Sequence, residues 1–263
     1  MRRSGRGSRR QPGSTDSGQV TTCAIRGIRR SPCSTGRPSS RPWAATTTRI
    51  RVGLLIANLV FRQPTVLAKQ ALTMDHVAGG RFDFGIGSGV WPTDHGMAGV
   101  PVWTARERTE RLTEFVSVVE RLLAGDVTDH DGPYYPYSQA SMTPGPVQDR
   151  VPLIIAANAP RALAVVAAHG DGWVTFPGAA TEADFYEASV ERLRVLGEGL
   201  GGREIRRILL AYGAISPWES VDGFARLVER YRAAGFDELV VYAPKEHERG
   251  VFDEIAAKLD NYR

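Results

Sequence analysis

From Ile50 onward the chain alternates short apolar runs with segments of helical period, six times over. Ile50–Ala57 is almost continuously apolar with polar residues on either side, the pattern of a strand buried on both faces of a parallel sheet. Pro64 opens the helix that follows, Leu67, Ala71, Met74 and Ala78 recur at helical spacing, and Gly79-Gly80 ends it. Further strands are read at Phe82–Gly87, Val151–Ala157, Gly172–Phe176, Ile208–Ala214 and Glu238–Ala243. Between them, Thr104-Ala-Arg-Glu107 has the form of a capping box before a helix with Leu112, Phe115, Val116, Val119, Leu122 and Leu123 on one face. Helices are also read over 161–168 and 181–200. Another is expected after Ser216-Pro-Trp-Glu219, with Ser216 as its cap, and a last one carries Phe252, Ile255, Ala256 and Leu259. Asp131–Tyr137 is a turn-rich excursion. Such alternation demands parallel pairing and right-handed crossovers, hence an α/β fold. Periodicity alone does not separate a barrel from an open doubly wound sheet, although a glycine-rich dinucleotide fingerprint after the first strand is missing.

Charge divides the chain in two. The net charge of +4 averages unlike pieces, because residues 1–50 hold eleven arginines against one acid, Asp16. From residue 51 onward the 22 basic and 28 acidic residues sum to −6. An acidic body offers no broad basic face for nucleic acid. The expected organisation is therefore a basic Arg/Ser/Gly-rich tail over 1–48 and a folded α/β domain over 49–263. The tail has too little apolar content to offset its ordering entropy and reads as disordered. Its composition matches a transit peptide or a phosphate-binding arm, and equally a segment with no selected structure. Both cysteines, Cys23 and Cys33, lie in it, too few for a disulfide scaffold. The longest apolar stretch, Val52–Phe61, is half of the roughly 20 residues that a membrane span requires. With no apolar core of a secretory signal either, a cytoplasmic location is expected.

Three segments hold candidate chemistry. Phe84-Gly-Ile-Gly-Ser-Gly89 ends a buried strand, where α/β folds place ligands, and its glycines permit close approach to the backbone. A plain tight turn has the same spelling. Trp91-Pro-Thr-Asp-His95 brings Asp94 and His95 to that end of the sheet as candidate catalytic residues, with a surface-loop histidine as the alternative. In Asn158-Ala-Pro-Arg161, Asn158 or Ala159 caps a helix whose N-terminal amides and Arg161 suit a phosphate, or are simply an ordinary capped helix. Trp173 reads as core, and His76 and His169 as structural or solvated. Metal-ligand spacing, a P-loop and a nucleophile elbow are not found.

Thr47-Thr-Arg-Ile-Arg-Val-Gly53, Pro64-Thr-Val-Leu-Ala-Lys-Gln70, Met74-Asp-His-Val-Ala-Gly-Gly-Arg81 and Gly85-Ile-Gly-Ser-Gly89 resemble, in this order, segments of the bacterial luciferase-like flavin oxidoreductases. Arg106 with Glu114, Asp131-Gly-Pro-Tyr-Tyr135, Pro152 and Ala168-His-Gly-Asp-Gly-Trp173 continue the resemblance. It implies a TIM (β/α)8-type barrel with reduced FMN at the C-terminal mouth of the strands, reacting with oxygen and a small organic substrate. Some branches of the family use the deazaflavin F420 for hydride transfer without oxygen. On this pattern Leu55 and Ile56 form a bulged strand end behind the ring. Gly87, Ser88 and Gly89 line the ring or its side chain, and Asn158, Ala159 and Arg161 hold the phosphate. A homodimer is also implied.

In that family Ile50–Ala57 corresponds to the third strand. The expected fold is therefore a barrel of about six βα units whose first two strands are missing or replaced. The 48 residues before it lack the apolar alternation of two such units. Thirty Arg against three Lys suggest a GC-rich gene, and a misplaced start codon or shifted reading frame is the expectation for this segment. Without two strands the chain also reads as an inactive barrel fragment with an open edge.

Overall fold

The computed structural model describes residues 45–125, 128–258 and 262. The chain runs β1 (Val52–Asn58), α1 (Pro64–Ala78), β2 (Phe82–Gly87), α2 (Pro92–Ala98), α3 (Ala105–Leu123), a hairpin of β3 (Thr128–His130) and β4 (Tyr137–Ala140), β5 (Leu153–Ala156), α4 (Pro160–His169), β6 (Gly172–Thr175), α5 (Glu182–Leu200), β7 (Arg206–Ala211), α6 (Val221–Ala234), β8 (Glu238–Val241) and α7 (Arg249–Ala257). Six strands form one sheet in the order β1-β2-β5-β6-β7-β8, every neighbouring pair parallel. Strand order never reverses, which excludes the doubly wound alternative.

The sheet curls into half of a barrel. Arg206 Nη1 on β7 lies 2.9 Å from Asp83 Oδ1 on β2, with β5 and β6 between them in the sheet. In a flat sheet those two strands stand about 14 Å apart, beyond the reach of an arginine. Only a concave sheet allows the bond.

Strict alternation gives the two faces different contents. Phe82, Phe84, Ile86, Leu153, Ile155, Trp173 and Leu209 point outward into the main core, shared with Leu72, Leu112, Phe115, Val119 and Val166 of the helices. The concave face carries a smaller cluster of Leu55, Ile154, Val174 and Ile208, with Ile56, Ala156, Leu210 and Val240 half-exposed beside it. Toward the N-terminal strand ends this face turns ionic. Arg206 pairs with Asp83 and forks onto Glu238 (2.6 and 3.0 Å), while Arg51 binds Asp83 at 2.6 Å. Burial works against the Arg206 charge, but the Glu238 hydrogen bond and the charge of Asp83 outweigh it and raise the pKa above its ordinary value.

Helix ends follow local chemistry. Pro64 is the first residue of α1, and Gly79 ends it at φ 58°. Thr104 Oγ1 accepts the Glu107 N–H at the start of α3, and Thr181 does the same for Asp184 at α5. The expected start at Ser216 is corrected: α6 begins at Val221, where Ser220 Oγ accepts the Gly223 N–H. Burial of Trp218 decides this. Its ring stacks on Phe224 and meets Phe252, and its Nε1 donates to the Tyr242 carbonyl at 2.9 Å, holding 216–219 in a turn. The strand expected over 208–214 instead spans Arg206–Ala211, and Gly213 at φ 78° turns the chain away. Most of the expected tail and Leu259 lie outside the described residues.

Candidate functional site

The C-terminal ends of the parallel strands meet at the open mouth of the half-barrel, where each contributes one or two residues. On β1 the register shifts between Leu54 and Ala57, and the Leu55–Ile56 peptide is cis. The resulting bulge sends both Leu55 and Ile56 to the concave face. The expected bulged strand end is therefore present at these two residues.

Its consequence is written into β2. A Cβ on Gly85 would overlap the Leu54 carbonyl oxygen, and one on Gly87 would overlap Ile56 Cδ1. Gly89, at φ 69°, would meet Asn58 Oδ1 and Val60 Cγ2. These glycines are compelled first by the close approach of β1 and the turn after it, and Ile56 lies over Gly87 as part of the concave wall. Ser88 is half-buried between the two glycines.

Asn58 closes β1. Its Oδ1 accepts the Val60 N–H at 3.0 Å, and its Nδ2 donates to Asp94 Oδ2 at 2.7 Å. Asp94 is 6% exposed and His95 fully enclosed, so neither stands in a surface loop. Both are on α2, which begins at Pro92. His95 Nδ1 donates to the Trp91 carbonyl at 3.1 Å, and its ring meets Trp103 edge-on at 4.8 Å. Its Nε2 has no partner among the described residues.

At the end of β5, Trp173 Nε1 donates to the Ala157 carbonyl at 2.8 Å, which makes Trp173 core. Ala159 occupies the cap position of α4, and the Ala162 and Leu163 N–H groups both return to its carbonyl at 2.9 Å. The Asn158 side chain is turned toward β6 instead. Its Oδ1 accepts from Thr175 Oγ1 at 2.8 Å, and its Nδ2 donates to the Phe176 carbonyl at 3.3 Å. Asn158 and Arg161 are both exposed. Beyond β6 and β7 the rings of Phe176 and Tyr212 stack at 4.2 Å, and burial raises the Tyr212 pKa.

The tyrosine excursion packs on α3. Glu114 accepts the Tyr135 N–H at 2.8 Å and the Tyr134 N–H at 3.2 Å, and contacts His130 Nε2 at 3.1 Å. Arg106 pairs with Glu110 in the next turn, not with Glu114. Arg111 lies between the rings of Trp103 and Tyr134, 4.4 and 4.3 Å from their centroids. Among the described residues no three His, Cys, Asp or Glu are grouped to hold a metal, and no helix is long and apolar enough to cross a membrane.

The mouth thus combines two features: a half-exposed apolar floor of Ile56, Ala156, Leu210 and Val240, and the exposed side-chain donors of Asn158 and Arg161 where α4 follows β5. The floor suits a flat, largely apolar ring; the donors suit an anion tethered to it. Sequence reasoning missed Asn58, Thr175 and Arg206. Each is an ordinary polar residue in or beside a strand, with nothing in its local pattern to mark it.

Residues 43–212 match the family model described as luciferase-like monooxygenase. A protein of Mycobacterium tuberculosis recorded as uncharacterized is 35% identical over 150 residues, 57% of this chain and 50% of its own length. The F420-dependent glucose-6-phosphate dehydrogenase of Beutenbergia cavernae is 31% identical over 150 residues, covering 55% of this chain and 44% of that one. The chain spans about half the length of the curated relatives it matches. Among solved structures, the F420-dependent tetrahydromethanopterin reductase of Methanopyrus kandleri aligns at TM-score 0.68 with 17% identity, over 85% of this chain and 86% of that one. The oxygenating constituent of 3,6-diketocamphane monooxygenase from Pseudomonas putida, in complex with FMN, aligns at 0.62 with 15% identity, over 82% and 80%. These two likenesses establish the shared fold.

Proposed function

The chain belongs to the luciferase-like monooxygenase family, and from that premise we propose that it is an oxidoreductase holding reduced FMN at the mouth of its sheet and acting with oxygen on a small organic substrate. The observation that carries this reading is the pairing of an apolar floor with anion donors on one side of it. Leu55 and Ile56 back the ring, Gly87, Ser88 and Gly89 bring β2 close to it, and Asn158, Ala159 and Arg161 take the phosphate. When bound, the flavin supplies the electrons and the oxygen-activating chemistry. The chain's own work is to orient the ring against Ile56, exclude water from its inner face and neutralise the phosphate. Asp94 and His95, enclosed on α2, hold the wall beside the mouth through Asn58 and Trp103.

A second reading replaces FMN by F420 and oxygen chemistry by hydride transfer. It is favoured by the F420-dependent relative at 31% identity. Titrating the purified protein with FMN and with F420, followed by oxygen uptake and by deazaflavin absorbance, separates the two. FMN binding with oxygen consumption upholds the first reading; F420 turnover without oxygen uptake upholds the second. A protein that binds neither overturns both and leaves an inactive half-barrel.

A further inference from the structure

Along β7 the side chains alternate between the two faces of the sheet. Ile208 and Leu210 stand on the concave face, and Leu209 and Ala211 in the outer core. The next residue, Tyr212, falls on the concave side, one step above Leu210 at the mouth. At the base of the hollow β7 faces β2, since Arg206 bonds Asp83 at 2.9 Å. Tyr212 is six residues above Arg206, and Gly87 is four above Asp83. Tyr212 therefore stands opposite the wall that Ile56 and Gly87 make.

Three rings in series hold Tyr212. Phe185 on α5 is fully buried and meets Phe176 edge-on at 5.9 Å. Phe176 in turn stacks on Tyr212 at 4.2 Å, with 10° between the ring planes. The series runs from the helix layer inward, and Tyr212 is its last member. It meets no other ring among the described residues and belongs to neither apolar cluster, so its second face is left to the hollow. Its hydroxyl has no partner among those residues, yet it is not sealed in as those of Tyr135 and Tyr231 are. Burial raises its pKa, which keeps the hydroxyl protonated as a donor. A ring fixed on one face, open on the other and tipped with an unused donor is a shelf for a flat ligand that carries an oxygen acceptor.

We propose that Tyr212, backed by Phe176, is a specificity-determining residue that selects a planar aromatic substrate bearing a carbonyl or similar oxygen over saturated molecules of the same size. This rests on the reading above, in which the cofactor ring lies against Ile56; the substrate then lies between that ring and Tyr212.

The test titrates the full chain with acetophenone and with cyclohexyl methyl ketone, followed by ligand-observed NMR. These share a carbonyl and differ in whether the ring is flat; toluene supplies the flat ring without the carbonyl. The wild type binds acetophenone about fivefold more tightly than either of the others. Tyr212→Leu abolishes the preference for the flat ketone over the saturated one and leaves FMN affinity unchanged. Tyr212→Phe keeps that preference but loses the one over toluene, and this second ratio carries the test should Tyr212→Leu fail to melt cooperatively. Saturating FMN, or F420 if the protein takes only that, does not displace acetophenone. A wild type that binds none of the three probes, or both ketones equally, overturns the inference. So do ratios that both variants leave unchanged, and a Tyr212→Leu variant that weakens both ketones alike, the mark of a general structural role. Displacement of acetophenone by the flavin assigns Tyr212 to the cofactor and overturns the inference while the function reading stands. If neither FMN nor F420 binds but the ratios behave as expected, the function reading fails and the selection of a flat ligand by Tyr212 stands.

Discussion

The guanidinium of Arg206 on β7 bonds the carboxylate of Asp83 on β2 across two intervening strands, at 2.9 Å. With Glu238 on β8 and Arg51 just before β1, the pair ties together both outer strands of the curled sheet at their N-terminal ends. The concave face thus has an ionic base and an apolar upper part, and the mouth lies above the apolar part. The ionic base and the apolar floor follow from one side-chain alternation.

Arg206→Met should therefore act on the whole sheet. Asp83 and Glu238 are 12% and 13% exposed at their side chains, and the variant takes the bridging guanidinium from both. Breaking a largely buried pair by removing one partner costs several kcal/mol, and the 28% exposure of Arg206 reduces that to about 2–3 kcal/mol. Urea denaturation measures it. A loss below about 0.5 kcal/mol would mean that the helices alone hold the curl.

The β1 bulge predicts unequal costs at two glycines only one turn of the pleat apart. In Gly85→Ala the new methyl meets the Leu54 backbone carbonyl, which cannot swing aside, and the loss should be about 3 kcal/mol or more. In Gly87→Ala the clash is with Cδ1, the far end of Ile56, and should cost about 1–2 kcal/mol. Ile56→Val removes that atom, so the double variant Ile56→Val with Gly87→Ala should lose less than the sum of the singles. Additive losses would show that Ile56 does not lie over Gly87.

How far the sequence could be read follows from these same residues. The six βα units were legible because each strand presents a run of apolar residues and each helix an apolar stripe. Their positions hold to within a few residues except at Ser216, where burial of Trp218 overrides a well-formed capping motif. The bulge at Leu55 and Ile56 and the small residues of β2 were legible through the family resemblance. The bonds around the mouth were not. Asn58–Asp94, Thr175–Asn158 and Arg206–Asp83 join residues 36, 17 and 123 positions apart, and no local period reports such a pairing. Asp75 makes the same point. It is fully buried in α1, and it accepts the Val147 N–H at 2.7 Å and the Gln148 side-chain amide at 2.7 Å, fastening the segment before β5. In the sequence it is only an aspartate in a helix.

Two enclosed tyrosines set an alkaline limit. Burial pushes the hydroxyls of Tyr135 and Tyr231 up to about 12, with nearby Arg111 and Arg230 lowering them in part. In the unfolded chain these groups release their protons near pH 10. A raised native pKa means the folded state keeps protons that the unfolded state loses, so this contribution is undiminished below pH 10 and is lost as pH climbs from 10 to 12. Melting temperature followed over that range should fall, and should fall less in Tyr231→Phe. At neutral pH the same variant should be as stable as the wild type or about 1 kcal/mol more so, because the Tyr231 hydroxyl is buried with no partner among the described residues.

Asp94 is the last residue whose role a variant pair can decide. Its carboxylate holds the Asn58 amide at 2.7 Å, and Asn58 in turn caps the turn after β1 through the Val60 N–H. If this brace is its work, Asp94→Ala should cost about 1–3 kcal/mol by leaving a half-buried amide without its acceptor. Asp94→Asn still offers a carbonyl oxygen to Asn58 and should keep most of that stability, together with the wild-type affinity for the flavin proposed above. A proton-transferring carboxylate would behave differently: Asp94→Asn would retain stability and ring affinity yet lose turnover at every pH, because an amide cannot exchange the proton. Measuring melting temperature, flavin affinity and turnover on the same two variants separates the brace from the acid, and the burial of Asp94 within α2 favours the brace.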